Sequence, residues 1–501
     1  MILEQEITAK RKRGLRKYLF CLLSIACSAL FLLVNLQCTD HYNQFATGPS
    51  VQLYFSADTV RLDTLFSRLS SSTFGVMVYN RNPLAVKLQE IRLKGSPESG
   101  FRINVDGRSG SHFQNITLPG KDSIFIFLEA TFPEGASNLP ELQEDDIIFK
   151  LEQKEQKIHL EAYRQNIYQY SELLIQKDTT LTAERPIYIV DSLVVAEGAT
   201  LTMESGTHIL MGDKAHISVY GSLRALGTAE QRIMFEGLRR DNLIPKVNYR
   251  LIPGQWEYLL FATTSSNNLL HYTTLRNGRG GVKLYATPHQ EGSSLSMKGT
   301  IITNMKGNAL YAHYGTIEME NCECSNTLLS TLDFNGGKYV LNHCSIINLY
   351  PWDNRQGGAL HYNVEDNASS SSLEISNTVV DGSYSVQRLA GKTPSGGELQ
   401  FGDNLLRFIQ IRNSYLRTPI DLWNIFHNCI EATLPLDKVY HNTGRDRKKN
   451  TYNFIYDYRP LPEAPFVEKA VGALATDLLG RSRASAPTIG AYEPAEAPKE
   501  E

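Results

Sequence analysis

The sequence predicts an all-β protein: an N-terminal β-sandwich, then a right-handed parallel β-helix with a C-terminal cap. Three observations predict it. From Thr180 to Gly237, apolar period-two runs of about three to five residues alternate with Gly-bearing turns, too short for helices and suited to stacked rungs. Upstream, residues 51–165 carry about eight alternating runs with turn signals between them, the pattern of a sandwich. Downstream, similar segments recur around Thr273, Thr300, Cys322, Ser345, Thr378 and Ser414, at spacings of roughly 27, 22, 23, 33 and 36 residues, where one coil needs about 20–25.

The chain begins with a basic stretch, KRKRGLRK at 10–17, followed by the apolar run YLFCLLSIACSALFLLVNL at 18–36. These are the n- and h-regions of an export signal. Cys38 follows at once, so residues 1–38 are expected to form a lipoprotein-type signal with Cys38 lipidated. An uncleaved anchor is the competing reading, since about 19 apolar residues can just span a bilayer. Either way residues 40–501 are placed outside the cytoplasm. The expected location is the cell envelope, at the outer membrane and facing the surface, with the membrane as partner through the lipid.

Residues 39–50 read as a polar tether, and 51–165 as the sandwich, with runs such as TVRLDTLF, FGVMVYN and SIFIFLEATF. The net charge of −3 argues against a chain-wide field for nucleic acid, and no nucleic-acid-binding signature is present.

The β-helix is expected over 171–440. Val194, Leu201, Ile209, Ile217, Leu223, Ile233, Ile301, Ile346, Val379 and Ile411 are expected to point inward. Asn304, Asn321, Asn342, Asn377 and Asn413 read as a structural ladder, since Asn tolerates left-handed turns. Cys322 and Cys344 read as small fillers on successive coils. The segment 441–501 is expected to cap the open end, with HNTGRDRKKN as a basic loop.

The run VVAEGATLTMESGTHILMGDKAHISVYGSLRALGTAEQRIMFEG resembles the first coils of pectate-lyase-like parallel β-helix proteins. The segment DLLGRSRASAPTIGAYE is similar to the ending of β-helix surface proteins. LYFSADTVRLDTLF, VYNRN and FRINVDG resemble the immunoglobulin-like module that precedes a β-helix in exported lipoproteins of Gram-negative bacteria, a largely uncharacterised family. The resemblance implies a fold more than an activity, because this scaffold carries lyases, hydrolases and adhesins.

Function is sought in two insertions, 350–372 and 383–401. The first brings Trp352, Asp353, Arg355, His361, Tyr362 and Glu365 together within about one coil of sequence, a composition suited to stacking on sugar rings and orienting hydroxyls. Arg239, Arg240, Lys246 and Arg250 in a third insertion, 238–255, read as a basic rim. No nucleophile, metal-site or hydrolase motif is found. The expected function is therefore non-catalytic glycan binding or adhesion, with no cofactor. The alternative is a polysaccharide lyase or glycoside hydrolase acting on an acidic glycan, with Ca²⁺ needed only under the lyase form.

Overall fold

A computed structural model describes residues 44–244, 247–288, 294–364, 371–383, 397–401, 409–420, 424–446, 451–472 and 474–494. Cys38 and Glu365 lie outside the described residues. The chain divides into two compact units, one of residues up to 133 with 142–163, the other of 134–141 with 164 onward.

The first unit is a sandwich of two five-stranded antiparallel sheets. Alternation builds it. In Ser123–Ala130, Ile124, Ile126 and Leu128 face the core while Phe125 and Phe127 face out. Leu88, Ile91, Val105, Ile147, Phe149 and Leu160 close the same core from the other strands. The tether is shorter than expected, because Phe45 bridges Ala85 and the Ala46 N–H donates to the Ala85 carbonyl at 2.8 Å.

The second unit is a parallel β-helix of three strands per coil. One ten-stranded sheet forms the first wall. The other two walls merge in a single ladder because the strand Ile187–Val195 bends and pairs with both His208–Met211 and His216–Val219. Each wall stacks like on like. Ile217, Leu259, Val282, Leu310, Leu332, Leu360 and Leu399 lie in register up the second wall, all buried. On the third wall Ile209, Phe235, Leu275, Ile302, Cys324, Ile346, Val380 and Leu416 do the same.

The recurrent segments mark one turn. After each strand of the ten-stranded sheet from Asn268–His271 onward, a single left-handed residue redirects the chain: Tyr272, Gly299, Asn321, His343, Asn377, Asn413 and Asn428, with φ between 44° and 59°. Asn is suited to this conformation. Asn304 and Asn342 are not in this row; Gly299 and His343 take those places, and Asn304 lies in the strand Ile301–Met305. A small residue follows each: Thr273, Thr300, Cys322, Cys344, Thr378, Ser414 and Cys429. Cys322 and Cys344 are free, buried thiols, stacked as expected.

Three inward assignments need correction by one residue. Val194 is only half-buried, and Leu193 and Val195 point in instead. Ile301 and Val379 face outward on the third wall, and Ile302 and Val380 fill the core. A one-residue slip flips the face of a strand.

The C-terminal segment is also placed differently from the end cap expected. It lies along the outer face of the third wall, where Tyr440, Tyr458, Phe466, Leu478 and Ile489 bury Ile347, Val379 and Tyr415. The supposed basic loop is the start of a hairpin, Tyr440–Asp446 against Thr451–Pro460. The closing motif explains itself here. Asp477 accepts from the backbone of Leu479 at 2.9 Å and from the Arg481 guanidinium at 2.6 Å. Arg483 donates to the Asn321 side chain at 2.7 Å and the Glu493 carboxylate at 2.9 Å. Gly490 has φ +99°, and a Cβ there would lie 3.0 Å from both the Ser345 hydroxyl and the Val379 side chain. The Tyr492 hydroxyl donates to Glu323, a carboxyl whose pKa is raised by burial.

Candidate functional site

The loop after Ser345–Asn348 is anchored before it reaches solvent. The buried Asn348 amide accepts from the Thr327 N–H at 3.0 Å and donates to the Thr327 carbonyl at 2.9 Å. Arg355 then folds back. It donates to the Asn348 carbonyl at 2.8 Å and to both carboxylate oxygens of Glu398, at 2.9 and 2.7 Å. The two side chains are 5% and 0% exposed, so this pair clamps the loop rather than meeting a ligand. A residue expected to bind is thus structural. Gly382 leaves room for the clamp, since a Cβ there would lie 2.3 Å from Glu398 Oε1.

The tip of the loop is different. Trp352 is half-buried and stacks on Phe454 of the C-terminal hairpin, with centroids 4.6 Å apart and planes 12° apart. Tyr452 stacks behind Phe454 at 5.8 Å and is 50% exposed. Phe454 has φ +56°, an unusual conformation for a bulky side chain, and such outliers gather at working sites. Beside these rings lies a groove of about 640 Å³ lined by Tyr350, Trp352, Asp353, Asn354, Ser383 and Tyr452 among others. Asp353 is exposed and accepts from the Asn354 N–H at 2.7 Å. Burial, with Asp353 nearby, pushes the Tyr350 phenol up to about 12.

Two further predicted residues leave the groove. Tyr362 is fully buried, in register between Phe334 and Phe401 on the inner face of the second wall. Its ring meets the Tyr339 ring edge-on at 6.1 Å, so it packs the core and is removed from the candidate site. His361, one residue earlier, faces outward and hydrogen-bonds Asp333 at 2.8 Å.

His361 belongs to a row that sequence reasoning missed. Outward positions of the second wall read Lys283, Tyr311, Asp333, His361 and Gln400 in register, beside Tyr285, His313, Asn335 and Asn363. From Lys283 to Asn363 these side chains are half-buried or exposed, whereas Glu323, Ser325, Ser345, Ile347, Val379 and Asp381 on the third wall are buried. Tyr285 lies 5.7 Å from Tyr311 and 6.4 Å from His313. Period-two alternation holds the signal for this row, but each coil shows only two of its members.

Of the supposed basic rim, Arg240 and Arg250 turn to a buried carboxylate, Arg239 stays exposed and pairs with Asp241 at 2.7 Å, and Lys246 lies outside the described residues. Glu236, 1% exposed, accepts from His208 at 2.9 Å, Arg240 at 3.1 Å and Arg276 Nε at 2.7 Å, with Arg250 at 3.4 Å. Burial alone would push the Glu236 carboxyl up. The His208 hydrogen bond and the arginine charges outweigh it and hold the group well below the usual carboxylate range.

No family model and no curated protein matches the sequence. Among solved structures, the catalytic domain of Agl-KA aligns at 10% identity over 72% of this chain and 76% of its own, with a TM-score of 0.24. The catalytic domain of a GH87 alpha-1,3-glucanase in complex with tetrasaccharides aligns at 11% over the same shares, with a TM-score of 0.19. A family 123 glycoside hydrolase from Clostridium perfringens aligns at 7% identity over 26% of this chain, with a TM-score of 0.18, and the match spans 31% of that structure. Likenesses this low carry no argument about activity.

Proposed function

We propose that this chain is an envelope-anchored protein that binds glycan without cleaving it, through the groove beside Trp352. The carrying observation is the Trp352–Phe454–Tyr452 stack next to an open polar groove. Flat aromatic faces with a few oriented polar groups suit a sugar ring. Hydrolysis by the usual route needs two carboxyl groups flanking one bond. Among the described residues that line the groove, Asp353 is the one carboxylate; Glu398 is buried behind the lining and committed to Arg355. That favours binding over cleavage.

Trp352→Ala is expected to weaken glycan binding roughly tenfold or more, about 1.4 kcal/mol. Its cost to stability should be near the value of one aromatic pair, about 1 kcal/mol. A glycan array followed by calorimetry on the best hit measures the first, and a melting curve the second. Unchanged affinity in a folded variant removes the groove from the reading. Ultraviolet detection of unsaturated products, or reducing ends released by the wild type, replaces binding with catalysis.

The anchor is tested separately. The mature chain should begin at Cys38 bearing acyl chains, since a single chain gives only marginal membrane attachment and stable anchoring takes more. Intact-mass measurement of the membrane fraction is the check. A Cys38→Ala protein that is still processed and retained on the membrane rules the lipid out.

A further inference from the structure

The exposed row on the second wall contains one unusual cation. Lys283 is half-buried at the start of that row. Its ammonium sits 4.0 Å from the centroid of the Tyr258 ring. No carboxylate pairs with it among the described residues. The neighbouring Glu257 hydrogen-bonds Arg279 at 2.9 Å, and Arg279 is further held by Asp213 at 2.9 Å. Burial lowers the Lys283 pKa, with only the Glu257 charge opposing it. A half-buried ammonium held over a ring is partly desolvated, so an anion that reaches it is held more strongly than at a fully exposed lysine.

The surroundings say what kind of molecule fits. Tyr258 and His216 are 5.8 Å apart on one side of Lys283, and Tyr285, Tyr311 and His313 cluster on the other. Successive coils are about 4.8 Å apart, so the rings and the ammonium form a strip parallel to the solenoid axis. Two coils beyond Lys283 the charge changes sign at Asp333, which His361 engages, and the amides of Asn335 and Asn363 follow. A small inorganic anion would use the ammonium alone. A polymer bearing ring faces, hydroxyls and an acidic group uses the whole strip.

We infer that the outer face of the second wall binds an anionic polysaccharide, with Lys283 pairing to its carboxylate or sulfate and Tyr258, Tyr285 and Tyr311 stacking on its rings. The inference rests on the glycan reading above and adds a second contact surface and a ligand class. Lys283 is the residue that discriminates acidic from neutral chains.

The test titrates the full chain with polygalacturonate oligosaccharides, dextran sulfate oligosaccharides and neutral dextran, for wild type, Lys283→Gln, Lys283→Arg and Trp352→Ala. The expected result is preference of the wild type for an acidic probe and roughly tenfold weaker binding of it by Lys283→Gln, with recovery in Lys283→Arg. Preference for the first acidic probe assigns a carboxylate, and for the second a sulfate. An unchanged melting temperature for Lys283→Gln shows that the loss is local. Equal binding of the acidic probe by Lys283→Gln and wild type overturns the inference, as does a wild type that prefers dextran; in either case sensitivity to Trp352→Ala leaves the groove reading standing. A wild type that binds no glycan on the array or among these probes removes both.

Discussion

Replacing Glu236 with Ala is expected to destabilise the β-helix by about 3–5 kcal/mol, the cost of removing the one buried partner that several half-buried cations share. Arg240 and Arg276 carry that cost, at 14% and 23% side-chain exposure; Arg250, 42% exposed, can turn to water. His208 loses its acceptor as well. Because the Glu236 carboxyl is held below its ordinary value, its contribution is complete above about pH 4.5 and drains as pH falls further. Chemical denaturation of wild type, Glu236→Ala and Glu236→Gln at pH 7 measures the loss. Gln keeps the shape and some hydrogen bonds and should fall between the other two. If Ala costs less than about 1 kcal/mol at pH 7, the cluster behaves as an ordinary surface network and the account of it is wrong.

The same cluster shows what a sequence can and cannot disclose. The solenoid was legible because its inner rows are aliphatic and its turns carry Gly or Asn at fixed places. The register was ambiguous where apolar residues come in pairs. At Val194–Val195, Ile301–Ile302 and Val379–Val380, alternation cannot say which member faces in. On the third wall it is weaker still, because the C-terminal segment buries the outer row as well, and a sheet covered on both faces loses its polar positions. Ile301 and Val379 were misplaced for that reason. Arg240 and Arg250 looked like solvated charges because their acceptor, Glu236, closes a strand that otherwise reads as core. Trp352 was found by composition, but Tyr452 and Phe454 lie about one hundred residues away and reach it only because the hairpin lies along the flank. Tyr362 was taken for a surface aromatic from its neighbours in the chain. Its place was set instead by Phe334 and Phe401 on adjoining coils.

Acid should loosen the C-terminal segment between about pH 6.5 and 4, and His343 is the reason. The ring is fully buried. Its Nδ1 meets the Gly490 carbonyl at 3.3 Å, which fixes that nitrogen as the donor. Burial, reinforced by the Arg483 charge, lowers its pKa from 6.5 to about 4. The folded state therefore takes up this proton later than the unfolded state. Stability is complete above about pH 6.5 and falls as pH drops toward 4, by an amount that the gap between those values sets at roughly 3 kcal/mol. His343→Asn removes the titration and suits the backbone, since Asn321 and Asn377 hold the same left-handed turn on the adjoining coils. An Asn amide also retains a donor for Gly490. The variant should match wild type near pH 7 to within about 1 kcal/mol and be clearly more stable at pH 4.5. His208 shares the sign, and Glu323 and Asp381, whose pKa values are raised by burial, oppose it; all three are common to both proteins and cancel in the comparison. Denaturation curves from pH 7.5 to 4 decide the matter. Parallel pH profiles for the two proteins would mean that His343 titrates normally, and that the segment from Asp477 to Glu493 is held without regard to its charge.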